Sequence, residues 1–385
     1  MTRLNPANVN DSFAPRLALA YAAFFLASGW YLPFFPAWLA ARGLDPGAIG
    51  AMLAAAQVVR VLGTPAGTRL ADRYGAPHRA ILVAALMAAA AIALLGSVAG
   101  FGAILGAVVL YATVSGPIMP LIDAYALRGL SLRARAYGPV RLWGSVAFIV
   151  ANLTGGFLLD VLAPGHLIWL IFAGNGLVVL VTIMLVPLPA DESTAPSGAA
   201  ASHGHLRQPR FLAIMAAASL IQASHAVYYG FSTLDWTRHG FDGKTIGVLW
   251  ALGVIAEILL FACAARLPPA IGPIALMLIG ATGAIVRWVA AAFDPPLALL
   301  APLQLLHAIS FGATHLGTMQ FLGKAAPPGG QASAQGDVAS ANSVMMALAS
   351  ALSGVLYGMG GSLAYGAMAL FAAAGAGCAL VARKL

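Results

Sequence analysis

Five charged side chains fall inside long apolar stretches of a 385-residue chain: Arg60, Asp123, Arg141, Glu257 and Arg287, with His225, His307 and His315 in similar surroundings. Arg141 is typical, standing in the segment YGPVRLWGSVAF (137–148) ahead of a run of uncharged residues. An ionisable group within a membrane helix costs roughly 2.5–3.5 kcal/mol on insertion scales, so it faces a cavity or a partner. Two kinds of chemistry follow. An arginine in a cavity binds a carboxylate through two parallel N–H bonds. A carboxylate that exchanges an arginine for a proton as its counter-charge couples the two events. Glu257 would take a proton when its cationic partner is occupied by substrate, and lose it when that partner returns. The structural alternative for each charge is an ion pair that locks helices together. For His225 and His315 it is a hydrogen-bonded place in the core.

The elements that must carry these groups are set by composition. The sequence is 61% hydrophobic and 8% charged, with a mean hydropathy of +0.89. Soluble domains carry about a quarter charged residues, so this is a polytopic membrane protein. Runs at 80–98, 103–124 and 146–159 approach or reach the roughly 20 apolar residues that span hydrocarbon. Forty-three glycines suit close helix–helix approach in lipid. Alternating strand patterns are missing, which argues against an outer-membrane barrel. The net charge of +8 lies in short loops without an aromatic-interleaved patch, so no nucleic acid is expected as partner. Cys263 and Cys378 sit in apolar segments and read as small core residues rather than a disulfide or metal site. The polar start Met1–Pro15, followed by a long apolar segment, does not read as a cleavable signal.

Hydropathy predicts an all-α protein of twelve transmembrane helices, near 15–40, 47–70, 78–98, 100–127, 138–160, 165–187, 211–237, 244–266, 270–292, 296–322, 337–358 and 362–382. In helix 4, Pro117 and Pro120 predict a break, tolerated where neighbours or a cavity satisfy the freed backbone. The segment Pro189–Pro209 has linker composition, holds Asp191 and Glu192, and contains an HGH triplet (203–205) that reads as a solvated loop. The expected domains are thus residues 1–187, a cytoplasmic linker at 188–210, and residues 211–385. Short-loop arginines and lysines divide fourteen to three in favour of the side holding both termini. That predicts a multi-pass protein of a bacterial cytoplasmic (inner) membrane with both termini cytoplasmic. An internal repeat at an offset of 197 residues aligns ARGLDPGAIG (41–50) with RHGFDGKTIG (238–247), with Gly43/Gly240, Asp45/Asp242, Ile49/Ile246 and Gly50/Gly247 in register. Two parallel six-helix repeats with a substrate site between them near the midplane are therefore expected.

Between helices 2 and 3, TRLADRYG (68–75) is a worn form of the major facilitator loop motif, with Thr68 where the family has glycine. The motif implies that Asp72 and Arg73 pair across a cytoplasmic gate; the alternative is a solvated charge pair. HAVYYGFS (225–232), LWALGVIAEILLF (249–261), IVRWVA (285–290) and LLHAISFGATHL (305–316), together with the Arg141 segment, resemble the bacterial 3-phenylpropionate permease family along nearly the whole chain. More distantly the chain resembles the lactose permease type of oligosaccharide–proton symporter. There an acidic residue on helix 4 precedes an arginine on helix 5 by 18 residues, a spacing that Asp123 and Arg141 reproduce. The helix 8 glutamate falls on Glu257, the helix 9 arginine on Arg287 and the helix 10 histidine on His307. Three residues on, where those permeases keep a proton-carrying glutamate, this chain has Ser310. The resemblance therefore leaves Glu257 or Asp123 as proton carrier, with His307 beside them.

The expected function is proton-coupled uptake of a small aromatic carboxylate such as 3-phenylpropionate. Arg141 is the first choice to hold the carboxylate, with Asp123 as its partner and Arg287 second. Trp30, Tyr31, Phe34, Trp143, Phe148, Tyr228, Tyr229, Phe231 and Trp250 are candidates for the walls, Trp143 and Tyr228 foremost. The alternatives are a sugar, a nucleoside or an exported drug. No Walker loop, HExxH, CxxC or nucleophile elbow points to an enzyme. No cofactor is expected beyond a proton gradient; the partners are substrate, H+ and the lipid bilayer, and the chain is expected to be a monomer.

Overall fold

The computed structural model describes residues 12–74, 76–189, 203–266, 268, 271–325 and 331–385. Among these residues every regular element is helical. Twelve spans follow in chain order: α1 Phe13–Ala41, α2 Pro46–Tyr74, α3 Pro77–Ser97, α4 Phe101–Ser131, α5 Tyr137–Val161, α6 Pro164–Ile183, α7 Pro209–Arg238, α8 Gly243–Cys263, α9 Pro273–Ala291, α10 Leu297–Ala325, α11 Gln331–Gly360 and α12 Ala364–Lys384. Eleven apolar stretches are long enough to cross a membrane, and the last, Ser333–Lys384, holds both α11 and α12, parted at Gly361 with φ +56°. The predicted boundaries agree within a few residues except at α11. That helix begins at Gln331, because the polar turn before Val338 continues the helix beyond its apolar part.

Local chemistry explains the starts and stops. Proline opens α2, α3, α7 and α9, where a missing N–H costs nothing. Asp45 accepts from the Ala48 N–H at 2.9 Å and Asp242 from the Thr245 N–H at 2.8 Å, each capping the helix that follows. Asp242 lies in a loop, and its hydrogen bonds to Thr245 hold its carboxyl below the usual range. The glycines just before these caps, Gly43 and Gly240, have φ of +81° and +82°, a conformation that residues with a Cβ rarely adopt. The repeat seen in the sequence is therefore repeated in the backbone.

Three spans are broken in mid-course. In α4 the helix interrupts between Ser115 and Ile118, at the predicted Pro117. α7 breaks at Ser224–His225, and α10 widens into a π turn at Ala308–Ala313. Neither of these two has a sequence signal of its own. Such π turns recur at functional sites.

The halves α1–α6 and α7–α12 touch closely at the end opposite the termini. There α2 meets α11 and α5 meets α8. A Cβ built on Gly50 lies 2.7 Å from the Gly354 Cα and from the Ser350 carbonyl oxygen. Its repeat mate Gly247 sits equally tightly against the Asn152 and Gly156 backbone. Asp160 at the end of α5 accepts from the N–H groups of Gly243 and Lys244, so one half caps a helix of the other. Gly247→Trp is expected to force this end apart. Spectroscopic distances between labels on the end of α5 and the start of α8 should lengthen. Gly176→Trp, where a Cβ meets nothing within 4 Å, should leave them unchanged.

Candidate functional site

With that end sealed, the halves diverge toward the terminal face around a cavity of about 980 Å³, the upper range for a small-molecule site. Its rim is formed by the start of α5 at Tyr137, the end of α8 at Phe261 and the last third of α10 at Met319. Its floor reaches Leu32, Phe148 and Trp250.

The N-terminal half contributes Arg141. Its guanidinium lies 4.0 Å from the Phe25 ring centroid and 5.4 Å from that of Tyr21, a stacked cation with its planar edge left for an anion. Helical period explains the rest of the α5 face: Tyr137, Gly138, Arg141, Leu142, Ser145 and Phe148 line the cavity. Trp143 falls on the other side, 57% exposed and outside the cavity, contrary to the expectation for it. Asp123 does not pair with Arg141. Its Oδ1 accepts from the hydroxyls of Tyr21 at 2.6 Å and Tyr137 at 2.8 Å, so it stands one tyrosine behind the cavity wall. These two tyrosines were missed in the sequence because only the α1/α4/α5 packing brings them to Asp123.

The C-terminal half contributes a chain of contacts whose protons can be assigned. Arg287, 1% exposed, has only donors, so its Nη1 donates to His307 Nδ1 at 3.1 Å and its Nη2 to Gln304 Oε1 at 2.7 Å. His307 is then the tautomer with its proton on Nε2, and that nitrogen points at Glu257 Oε2, 3.6 Å away. Glu257 and His307 line the cavity; Arg287 does not, and acts on the cavity through His307. The sequence expected Arg287 as a second carboxylate-holding group, but two of its terminal N–H groups are already committed inside the half. Gln304, three residues before His307, completes this arrangement. A polar residue at that helical spacing from a histidine was the available signal.

His225 is fully buried, and its Nδ1 donates to the Ile221 and Gln222 carbonyls, so its Nε2 accepts from the Ser310 hydroxyl at 3.1 Å. The serine that replaces the permease glutamate is thus tied to a histidine, within the π turn. The His307, Phe311 and His315 rings follow one another down α10 along the cavity, with successive centroids 5.2 and 6.2 Å apart. Tyr228, Tyr229 and Trp250 form the aromatic wall, Tyr228 and Trp250 at 4.4 Å between centroids.

The halves meet electrostatically here. Arg141 and Glu257 line the same cavity, one group from each half. Arg60 lies near Tyr31 and Tyr111 within the N-terminal half, outside this cavity, and makes no hydrogen bond or ion pair with a described residue. Asp72 and Arg73 are exposed at the terminal end of α2 and do not pair with each other in this conformation. The latch formed between the halves lies at the other end, where Asp160 at the end of α5, a residue with no motif to announce it, accepts from the first N–H groups of α8. His205 of the HGH triplet is 2% exposed and 2.7 Å from Asp337, not solvated; Asp191 and Glu192 lie outside the described residues. Cys263 is exposed rather than in the core.

Residues 15–367 match the MFS_1 like family. The chain is 33% identical to a probable 3-phenylpropionic acid transporter of Escherichia coli (strain K12), over 80% of this chain and 81% of that one. It is 28% identical to a maltose permease of Geobacillus stearothermophilus over 80% and 78% of the two chains. Among solved structures, the nucleoside transporter NupG superposes with a TM-score of 0.82 at 18% identity, covering 98% of this chain and 99% of that one. A bacterial homologue of the human lysosomal transporter Spinster, in an inward-facing and unoccupied conformation, superposes with a TM-score of 0.77 at 15% identity, covering 97% and 96%. These last two speak for the fold alone.

Proposed function

The chain belongs to the MFS_1 like family of membrane transporters, and from that premise we propose that it imports a small aromatic carboxylate together with protons by alternating access. The observation that carries this reading is one cavity holding an arginine from one half, a glutamate from the other, and aromatic walls between them. A carboxylate substrate docks on Arg141, and its ring lies against Phe25, Phe148, Tyr228 and Trp250. Substrate and Glu257 compete for the same guanidinium. When substrate takes it, Glu257 carries a proton instead; when substrate leaves, Arg141 returns and the proton goes. His307, held by Arg287, keeps its Nε2–H aimed at Glu257 through the cycle. Asp123 acts indirectly, by holding Tyr137 at the rim beside Arg141.

With fourteen of seventeen loop and tail cations on the terminal face, that face is the cytoplasmic one in this reading. The conformation described is then inward-open, with the α2/α11 and α5/α8 contacts sealing the outer end. Asp72 and Arg73, separated from the other half here, would re-engage it when the inner end closes. The relative named as a 3-phenylpropionic acid transporter supports the aromatic-acid cargo. The maltose permease relative is the ground for a neutral sugar as second reading, and an unpaired cavity arginine argues against it.

The test is a binding screen of the purified protein, 3-phenylpropionate against maltose and nucleosides, joined to whole-cell uptake. Saturable binding of the aromatic acid, with uptake abolished by a protonophore, is expected. Uptake that persists without a proton gradient would overturn symport, and a neutral sugar that binds where aromatic acids do not would overturn the cargo.

A further inference from the structure

A second cavity, of about 320 Å³, lies wholly within the C-terminal half at the end opposite the termini. At it stand Asp235 and His239 from the end of α7 and Asp294 from the α9–α10 loop. Their ligating atoms all lie within 4.8 Å of one another. We propose that these three residues form a binding site for a divalent transition-metal cation of the zinc class.

The donor set is mixed, and the histidine is prepared for it. His239 Nδ1 donates to the Asp235 backbone carbonyl at 2.9 Å, which leaves Nε2 with its lone pair outward. That nitrogen faces Asp294 Oδ1 at 3.4 Å, a spacing that either a proton on the imidazole or a shared metal cation bridges. The separation is also close to that of two ligands on one tetrahedral zinc at about 2.0–2.1 Å from each. Ligating histidines commonly fix their tautomer through such an outer bond to a carbonyl. The third ligand candidate, Asp235, is 5% exposed, and its Oδ1 accepts from Tyr357 at 3.0 Å, a neutral hydrogen bond that leaves the carboxylate's other oxygen for a cation.

The other repeat shows what this corner needs for stability alone. At the offset of 197 residues, His239 corresponds to Arg42 and Asp235 to Trp38. Arg42 ties the end of α1 to the α3–α4 loop by donating to the Val98 carbonyl at 2.7 Å. At the corresponding corner the C-terminal half gathers two carboxylates and a histidine, a donor set of the kind that binds a metal. The nearby positive groups are Arg238, whose guanidinium lies 5.1 Å from the Tyr357 ring centroid, and Arg287 in the cavity wall, which already donates to His307 and Gln304. The two carboxylates stand against them at the site.

The experiment is titration of chelator-treated, purified full-length protein with zinc chloride, followed by calorimetry. One saturable site is expected in the wild type. His239→Gln and Asp294→Asn, both at exposed positions, should each weaken it at least about tenfold, since even loss of an outer hydrogen bond costs a metal site that much. His166→Gln, at a histidine elsewhere on the same end, should leave it unchanged, and transport by all three variants in the absence of zinc confirms that they fold. No saturable binding in the wild type, or binding that survives both His239→Gln and Asp294→Asn, would overturn the site. Binding lost with His166→Gln would assign the metal to another surface histidine and overturn it equally.

Discussion

Arg141→Ala is expected to remove binding of the aromatic carboxylate. In the proposed function the guanidinium docks the anion, and it lies 4.0 Å from the Phe25 ring centroid. Truncating one member of a desolvated, hydrogen-bonded charge pair costs about 2–5 kcal/mol. At 1.4 kcal/mol per tenfold this is roughly a thirtyfold to several-thousandfold rise in Kd. Arg141→Lys separates charge from geometry. A lysine keeps the charge but loses the two-pronged contact and most of the stacking on Phe25, so it should bind measurably, with an affinity between wild type and alanine. Direct binding to the purified protein decides this. An alanine variant that binds 3-phenylpropionate within a few-fold of wild type would mean that another group holds the carboxylate. Arg287 is not prepared for that role, because it would first have to release His307 and Gln304.

Glu257→Gln is expected to leave substrate exchange intact and to abolish uphill accumulation. Glutamine neither gains nor loses a proton, so Arg141 would no longer have a titratable competitor across the cavity. The alternating opening of the two ends would persist, and labelled substrate would equilibrate rather than concentrate. For one proton moving with one carboxylate the net charge carried is zero. Wild-type accumulation then follows the pH difference, about tenfold per unit, because 1.36 kcal/mol is a factor of ten, and that factor should fall to about one in the variant. Vesicles with an imposed pH gradient measure both. Accumulation retained by Glu257→Gln would move the proton to another group. Asp123 would then be tested by Asp123→Asn, whose tyrosine partners would keep the side chain in place.

The division of labour inside the cavity was only partly visible in the linear chain. Glu257 and His307 are legible because each is a polar group in an otherwise apolar run, and lipid leaves such groups few places to go. Helical spacing carries Arg141 and Phe148 to one face of α5, but it equally well assigns Trp143 to the other, and the side that meets the partner helices is a tertiary fact. The spacing of Asp123 and Arg141 suggested a direct pair. Two hydroxyls from α1 and α5 reach the carboxylate first, and no pattern along α4 encodes them. The π turn after His307 is similarly silent, and the bond that Ser310 makes from it to His225 joins residues 85 apart in the chain.

By itself the sequence determined the all-α membrane architecture, its twelve spans, the repeat and the short list of ionisable groups inside it. Those follow from bilayer thickness, from period 3.6 and from the cost of charge in lipid, all of which act on local stretches of chain. The tertiary structure alone decided which of those groups share a cavity, which end is sealed by Gly50 and Gly247, that Asp160 latches the halves, and that Arg287 reaches the cavity through His307. Each of these is a meeting of helices far apart in the chain. Where close approach is set by the absence of a Cβ on both surfaces, neither segment read alone can announce it.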